Sequence, residues 1–177
     1  MKYFVVDAFA EKVFEGNPAG VCILTDWISD ELMQKIAIEN NLSETAFAVK
    51  EGGHYRLRWF TPGGVINLCG HATLATAFII LNYYEMQLDT VKFNTISGEL
   101  TVNKQDDLYE LDFPSVPSEE ISVTDKMISA LGIVPKETYL NRDFVFILES
   151  EEDVKNVNAD FAQLERLSEG LGVCVTA

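Results

Sequence analysis

Glu44 is the side chain in this sequence best suited to move a proton on carbon. It stands in Leu42-Ser43-Glu44-Thr45-Ala46-Phe47, a carboxyl group among small and apolar neighbours. A free glutamate titrates near about 4.3 and is a weak base at neutral pH. Shielding a carboxyl group from water disfavours its charge and makes it a stronger base. Read from these residues alone, the plainer account is a solvated carboxylate at a helix–strand junction, because charged residues are mostly exposed. The second group is Cys69-Gly70-His71-Ala72. His71 can donate a hydrogen bond or relay a proton. Gly70 lets a ligand approach the backbone closely. If a helix starts here, its free N–H groups and dipole attract an anion such as a substrate carboxylate. Neutralising charge as it builds would also acidify the adjacent C–H. The plainer account is a histidine satisfied by backbone and a glycine kept for steric room.

Cys69 opens a rival chemistry, because thiolates at helix N-termini have lowered pKa values. A two-thiol racemase needs a partner, and Cys174 in Val173-Cys174-Val175-Thr176 reads as a core strand residue. Cys69 itself reads more simply as a small apolar filler beside the site. Asn17 shapes the turn Phe14-Glu15-Gly16-Asn17-Pro18, with substrate contact as the alternative. His54, between Gly53 and Tyr55, reads as an exposed turn residue.

These residues must be held by the stretch that follows Cys69. Gly70 to Tyr83 contains no Asp, Glu, Lys or Arg, nor any Gly or Pro after Gly70. Its Ala and Leu content predicts a central helix, bounded at 70–84. A helix apolar nearly all round must be enclosed by other elements. It is too short to span a bilayer, which takes roughly 20 apolar residues.

Around it, strands are expected at Lys2–Phe9, Ala19–Leu24, Tyr55–Phe60, Val91–Asn94, Gly98–Val102 and Leu108–Phe113. Ser29 is a candidate N-cap, followed by Leu32, Met33, Ile36 and Ala37 on one apolar face up to Asn40-Asn41. Pro114 to Glu120 reads as a linker, which divides the chain into 1–116 and 117–177. Beyond it, Thr124 caps a helix stopped by Gly132, Tyr139–Leu148 reads as one strand, Phe161–Leu167 as a helix and Val173–Thr176 as a strand.

Composition narrows the classes of function. With 28 acidic against 13 basic residues the formal charge is −15 over 177 residues, which repels nucleic acid and anionic membranes. A small anionic substrate is still admissible, because backbone N–H groups make a site locally positive. Three widely spaced cysteines suggest neither a disulfide framework nor a zinc site, and a reduced, cytoplasmic setting is expected. Asp7 interrupts the apolar run at the N-terminus, so no signal peptide is read there.

Three stretches together resemble the phenazine-biosynthesis PhzF-like family. They are Asp7-Ala8-Phe9 with Phe14 to Val21; Asn41 to Phe47; and Leu57-Arg58-Trp59-Phe60-Thr61-Pro62 running into Leu68-Cys69-Gly70-His71-Ala72-Thr73-Leu74-Ala75. The resemblance continues more weakly from Asn141-Arg142-Asp143 to Ala177. It implies an α+β, diaminopimelate-epimerase-like fold: a curved, mostly antiparallel sheet wrapped around a central apolar helix, in two similar lobes with the site in the cleft between them.

It also implies a cofactor-independent isomerase, without metal, that moves a proton on a small carboxylate and works as a homodimer. The family's catalytic glutamate maps to Glu44, and its glycine–histidine pair to Gly70 and His71. This tips both groups towards function. The commonest family pattern has acidic residues where this chain has Val65 and Asn67. The family's second lobe carries an acidic residue in a glycine-rich segment that would lie past Ala177. The second lobe is therefore expected to be incomplete here and the cleft to need completion. The alternatives are a non-catalytic small-molecule-binding or interaction protein, and a two-thiol racemase using Cys69.

Overall fold

The computed structural model describes residues 1–12 and 15–177. Phe14, expected in the first turn, lies outside them. The chain forms two compact units, Met1–Pro114 and Ser115–Ala177. In the first, the elements run β1 (Lys2–Ala8), β2 (Asn17–Leu24), α1 (Asp30–Asn40), β3 (Glu44–Glu51), β4 (His54–Thr61), β5 (Gly64–Ile66), α2 (Gly70–Tyr83), β6 (Thr90–Thr95), β7 (Gly98–Gln105) and β8 (Leu108–Asp112). The second contains β9 (Glu119–Glu120), α3 (Asp125–Leu131), β10 (Glu137–Leu140), β11 (Phe144–Ile147), α4 (Glu151–Asn156), α5 (Phe161–Leu164) and β12 (Val173–Thr176).

Eight strands of the first unit make one sheet in the order β1-β2-β3-β4-β6-β7-β8, with β5 paired to β4. Most pairings are antiparallel; β2–β3 and β4–β6 are parallel. Helix α2 touches β1 at one edge of this sheet and β8 at the other. A sheet can meet one helix with both edges only by curling around it. Alternation along the strands sorts their side chains by face. Ala19, Val21, Ile23, Ala46, Ala48, Tyr55, Leu57 and Trp59 pack with Ala72, Ala75, Ile79 and Ile80 of α2. The opposite parity, Cys22, Leu24, Phe47, Val49 and Phe60, packs with Met33 and Ala37 of α1.

Two hydroxyls are buried inside α2 without penalty. Thr73 Oγ1 donates to the Cys69 carbonyl at 2.5 Å, and Thr76 Oγ1 donates to that of Ala72 at 2.7 Å. Each spends its donor on the preceding turn. The enclosure is incomplete, contrary to the expectation for an all-apolar helix. Phe78 is exposed on α2, and with Leu74 it lines a groove of about 410 Å³ with Val6, Asp7, Leu108 and Tyr109. Edge strands β1 and β8 do not pair, so the sheet leaves this side of the helix open.

The capping expectations have direct counterparts. Ser29 accepts from the Leu32 N–H, Asn41 ends α1 in the left-handed region at φ 49°, and Gly132 ends α3 at φ 75°. Several elements differ from the sequence reading. Leu32 is exposed, so α1 buries a narrower stripe built on Met33 and Ala37. Strand β2 begins at Asn17 instead of Ala19, because Asn17 and Pro18 pair with Ala8 and Asp7. His54 is half-buried and opens β4 opposite Glu51, with Nε2 3.9 Å from Glu99. The expected strand at Tyr139–Leu148 is a hairpin, β10 and β11, turning at Asn141-Arg142-Asp143. Cys174 is exposed in β12 and is not a core residue. Among the described residues no helix is long and apolar enough to cross a membrane.

Candidate functional site

The N-terminal turn of α2 meets the first residue of β3. Glu44 is the register partner of Ala19 in the parallel β2–β3 pair. It shares the parity of Ala46 and Ala48, which face α2. A period of two therefore aims the Glu44 carboxylate towards α2 and not towards α1. Its Oε2 lies 3.2 Å from His71 Nε2, with the two side chains only 17% and 10% exposed. Both atoms are buried and out of line for a hydrogen bond, and neither has another partner among the described residues. Hydrogen-bonding capacity left unused in a buried place is costly; Trp27 Nε1, Trp59 Nε1 and Thr138 Oγ1 share that state elsewhere in the chain.

Cys69 completes the cluster at the other ring nitrogen. It occupies the N-cap position of α2 in extended backbone, without a capping hydrogen bond from its side chain. Its Sγ lies 3.5 Å from His71 Nδ1. Burial pushes the thiol up to about 12, and the nearby Glu44 charge adds to the rise; the His71 and Ala72 N–H groups offset part of it. The helix terminus therefore fails to activate this sulfur, because desolvation outweighs the dipole. Glu44, Cys69 and His71 together have a donor set that could hold a cation. Glu44 faces one ring nitrogen of His71 and Cys69 the other. The three donor atoms, one from each side chain, lie within 4.8 Å of one another, so thiol and carboxylate converge on the imidazole.

The other expected contacts divide. Gly70 and His71 keep partial exposure, whereas Ala72 has none. An anion at this helix tip would meet the first two residues. A Cβ on Gly70 would come within 3.2 Å of the Phe113 ring, so the room it provides is taken by an aromatic edge. Phe113 was not singled out by sequence; nothing but its place just after a strand marks it. Asn17 begins β2 at the end of the sheet where Glu44 begins β3. Among the described residues its side chain makes no hydrogen bond to Glu44 or His71. Val65 is exposed in β5, and Asn67 gives its carbonyl to the Ser97 hydroxyl at 2.9 Å.

The model of the phenazine biosynthesis-like protein family matches residues 6–177. A Pseudomonas aeruginosa protein named as an uncharacterized isomerase is 45% identical over 174 residues, covering 98% of this chain and 67% of the relative. The crystal structure of an Enterococcus faecalis PhzF-family protein superposes with a TM-score of 0.91 at 53% identity, covering 98% of this chain and 66% of that one. A predicted epimerase of Pseudomonas aeruginosa, 18% identical over 97% of this chain and 68% of its own, shares the fold with a TM-score of 0.68. The chain thus spans about two thirds of the length of these relatives. The curled sheet around a central helix is the α+β, diaminopimelate-epimerase-like fold.

Proposed function

Because the chain belongs to the phenazine biosynthesis-like family, we propose that it is an isomerase that moves a proton on a small carboxylate-bearing substrate, with Glu44 as the general acid and base. The observation that carries this reading is the buried Glu44–His71 pair at the tip of α2, whose Oε2 and Nε2 lie 3.2 Å apart without a hydrogen bond among the described residues. Support also comes from relatives named as isomerases. The substrate carboxylate rests at the Gly70-His71 end of the helix, where free N–H groups and the dipole oppose its charge. Glu44 takes a proton from the activated C–H, and the electron pair left behind delocalises towards the carboxylate. His71 Nε2 steadies the charge by a hydrogen bond. The Glu44 carboxylic acid then returns the proton to carbon. A single carboxylate works on one face of the substrate, whereas inversion at carbon needs a second acid on the opposite face. No metal or organic cofactor enters this scheme, and a homodimer working on a small anionic substrate is part of the proposal.

A thiolate-based racemase is disfavoured by the Cys69 thiol, which at about 12 stays protonated at neutral pH. The test is solvent-deuterium exchange by the full polypeptide into a panel of small carboxylates with an activated C–H, followed by proton NMR. Exchange that disappears in Glu44→Gln while binding persists supports the proposal. Exchange retained by that variant removes Glu44 from the chemistry, and binding without exchange by the unsubstituted protein favours a binding module.

A further inference from the structure

We propose that Cys69 is a positioning residue: its thiol donates to His71 Nδ1 and so holds the imidazole as the Nε2–H tautomer that faces Glu44. The inference rests on the Glu44–His71 site argued above, and adds a third group that the family resemblance assigns no task.

A neutral imidazole has one donor nitrogen and one acceptor nitrogen. In this fold each nitrogen faces one protein group, Sγ of Cys69 at 3.5 Å from Nδ1 and Oε2 of Glu44 at 3.2 Å from Nε2. Were the proton on Nδ1, an electron-rich Nε2 would lie 3.2 Å from a carboxylate oxygen, with the histidine side chain nine-tenths buried. Two acceptors pressed together in low dielectric repel each other. With the proton on Nε2 that contact becomes attractive, and Nδ1 is left as an acceptor needing a donor. The Cys69 thiol is the group within reach, and burial keeps it protonated and able to donate.

Its backbone is held for this purpose. Cys69 is 7% exposed, and its carbonyl accepts the Thr73 hydroxyl one turn along α2. The polarity therefore runs from the thiol hydrogen to Nδ1, which leaves the ring proton on Nε2, 3.2 Å from Oε2. No bond to carbon or sulfur is made or broken. The effect is on orientation and on which nitrogen carries the proton.

The chain has two histidines, so a His54→Gln background leaves His71 as the single imidazole signal. In that background, long-range ¹H–¹⁵N correlation NMR at neutral pH reads the tautomer without any substrate. The expected result is a protonated Nε2 and an unprotonated Nδ1. Cys69→Ala should move a measurable fraction to the Nδ1–H form or average the two nitrogens. Cys69→Ser, which restores a hydroxyl donor, should return the ring to the Nε2–H form. A doubly protonated or Nδ1–H ring in the His54→Gln chain overturns the proposal, as does an unchanged spectrum in Cys69→Ala or a Cys69→Ser spectrum like that of Cys69→Ala. The reading needs no turnover, so it fails or succeeds separately from the deuterium-exchange test of Glu44.

Discussion

Glu44 and Glu85 stand at opposite ends of α2 with nearly equal side-chain exposure, 17% and 14%. Their surroundings are opposite. Glu85 receives the Lys50 ammonium, the Tyr55 hydroxyl at 3.1 Å and the Gln87 amide at 3.3 Å. The hydrogen bond from Lys50 leads in holding its carboxyl below the ordinary range. Glu44 has His71 at 3.2 Å, the Cys69 sulfur nearby, and an oxygen without a hydrogen bond among the described residues. A carboxylate kept for structure is saturated by donors. One kept for chemistry must leave capacity open for a substrate, and the fold carries the cost.

Substitution should separate the two sites. The largest effect is expected on proton transfer. Glu44→Gln should lower solvent exchange by about 10²–10⁴-fold, the usual contribution of a general acid–base group, whereas Glu85→Gln leaves it unchanged. An equal loss in both variants would dissolve the distinction.

Stability should respond the other way. Glu85→Gln should cost about 1 kcal/mol, since it weakens charge-assisted hydrogen bonds to a half-exposed lysine and a tyrosine. Glu44→Leu should instead gain about 0.5–2 kcal/mol by removing an unsatisfied buried oxygen. Urea midpoints measure both. The Glu85 contribution also has a pH signature. A carboxyl held below its ordinary 4.5 stabilises the fold above that pH and loses its effect as pH falls through the folded value. The gap between the unsubstituted protein and Glu85→Gln should therefore close in acid.

The thiols should show the smallest effect. Cys22 and Cys69 are both pushed up to about 12 by burial from an ordinary 9.0. Each holds its proton more tightly folded than unfolded, so stability should be full below pH 9 and decline as pH rises towards 12. At pH 8, iodoacetamide should label exposed Cys174 well before either. Glu44→Gln should speed labelling of Cys69 modestly, because the Glu44 charge helps to raise that thiol. No change in rate would mean the carboxylate does not feel the sulfur.

Much of the frame was legible because it depends on local chemistry. The absence of charge from Gly70 to Tyr83 marks α2, and Ser29, Asn41, Thr124 and Gly132 end their helices as capping residues do. Alternation in β4 was equally plain. Other elements carried signals that were passed over. Ser150 followed by Glu151, Glu152 and Asp153 is a cap with an acidic first turn, and it opens α4. Three polar residues at 141–143 interrupt the apolar run that folds as the β10–β11 hairpin. Short β5 left little to read, since three residues after a glycine turn pair with β4 only because β4 is already in place.

Residue types and order by themselves determined the apolar helix α2, because it follows from side-chain chemistry along the chain, whereas Glu44 and the Gly70–His71 pair were singled out by their resemblance to a family motif. Tertiary structure alone decided that Glu44 shares a face with α2, that Cys69 and Glu44 take opposite nitrogens of His71, and that the sheet leaves Phe78 uncovered. Those are relations between residues far apart in sequence. They are set by strand register and by the curl of a sheet around its helix, which no local pattern encodes.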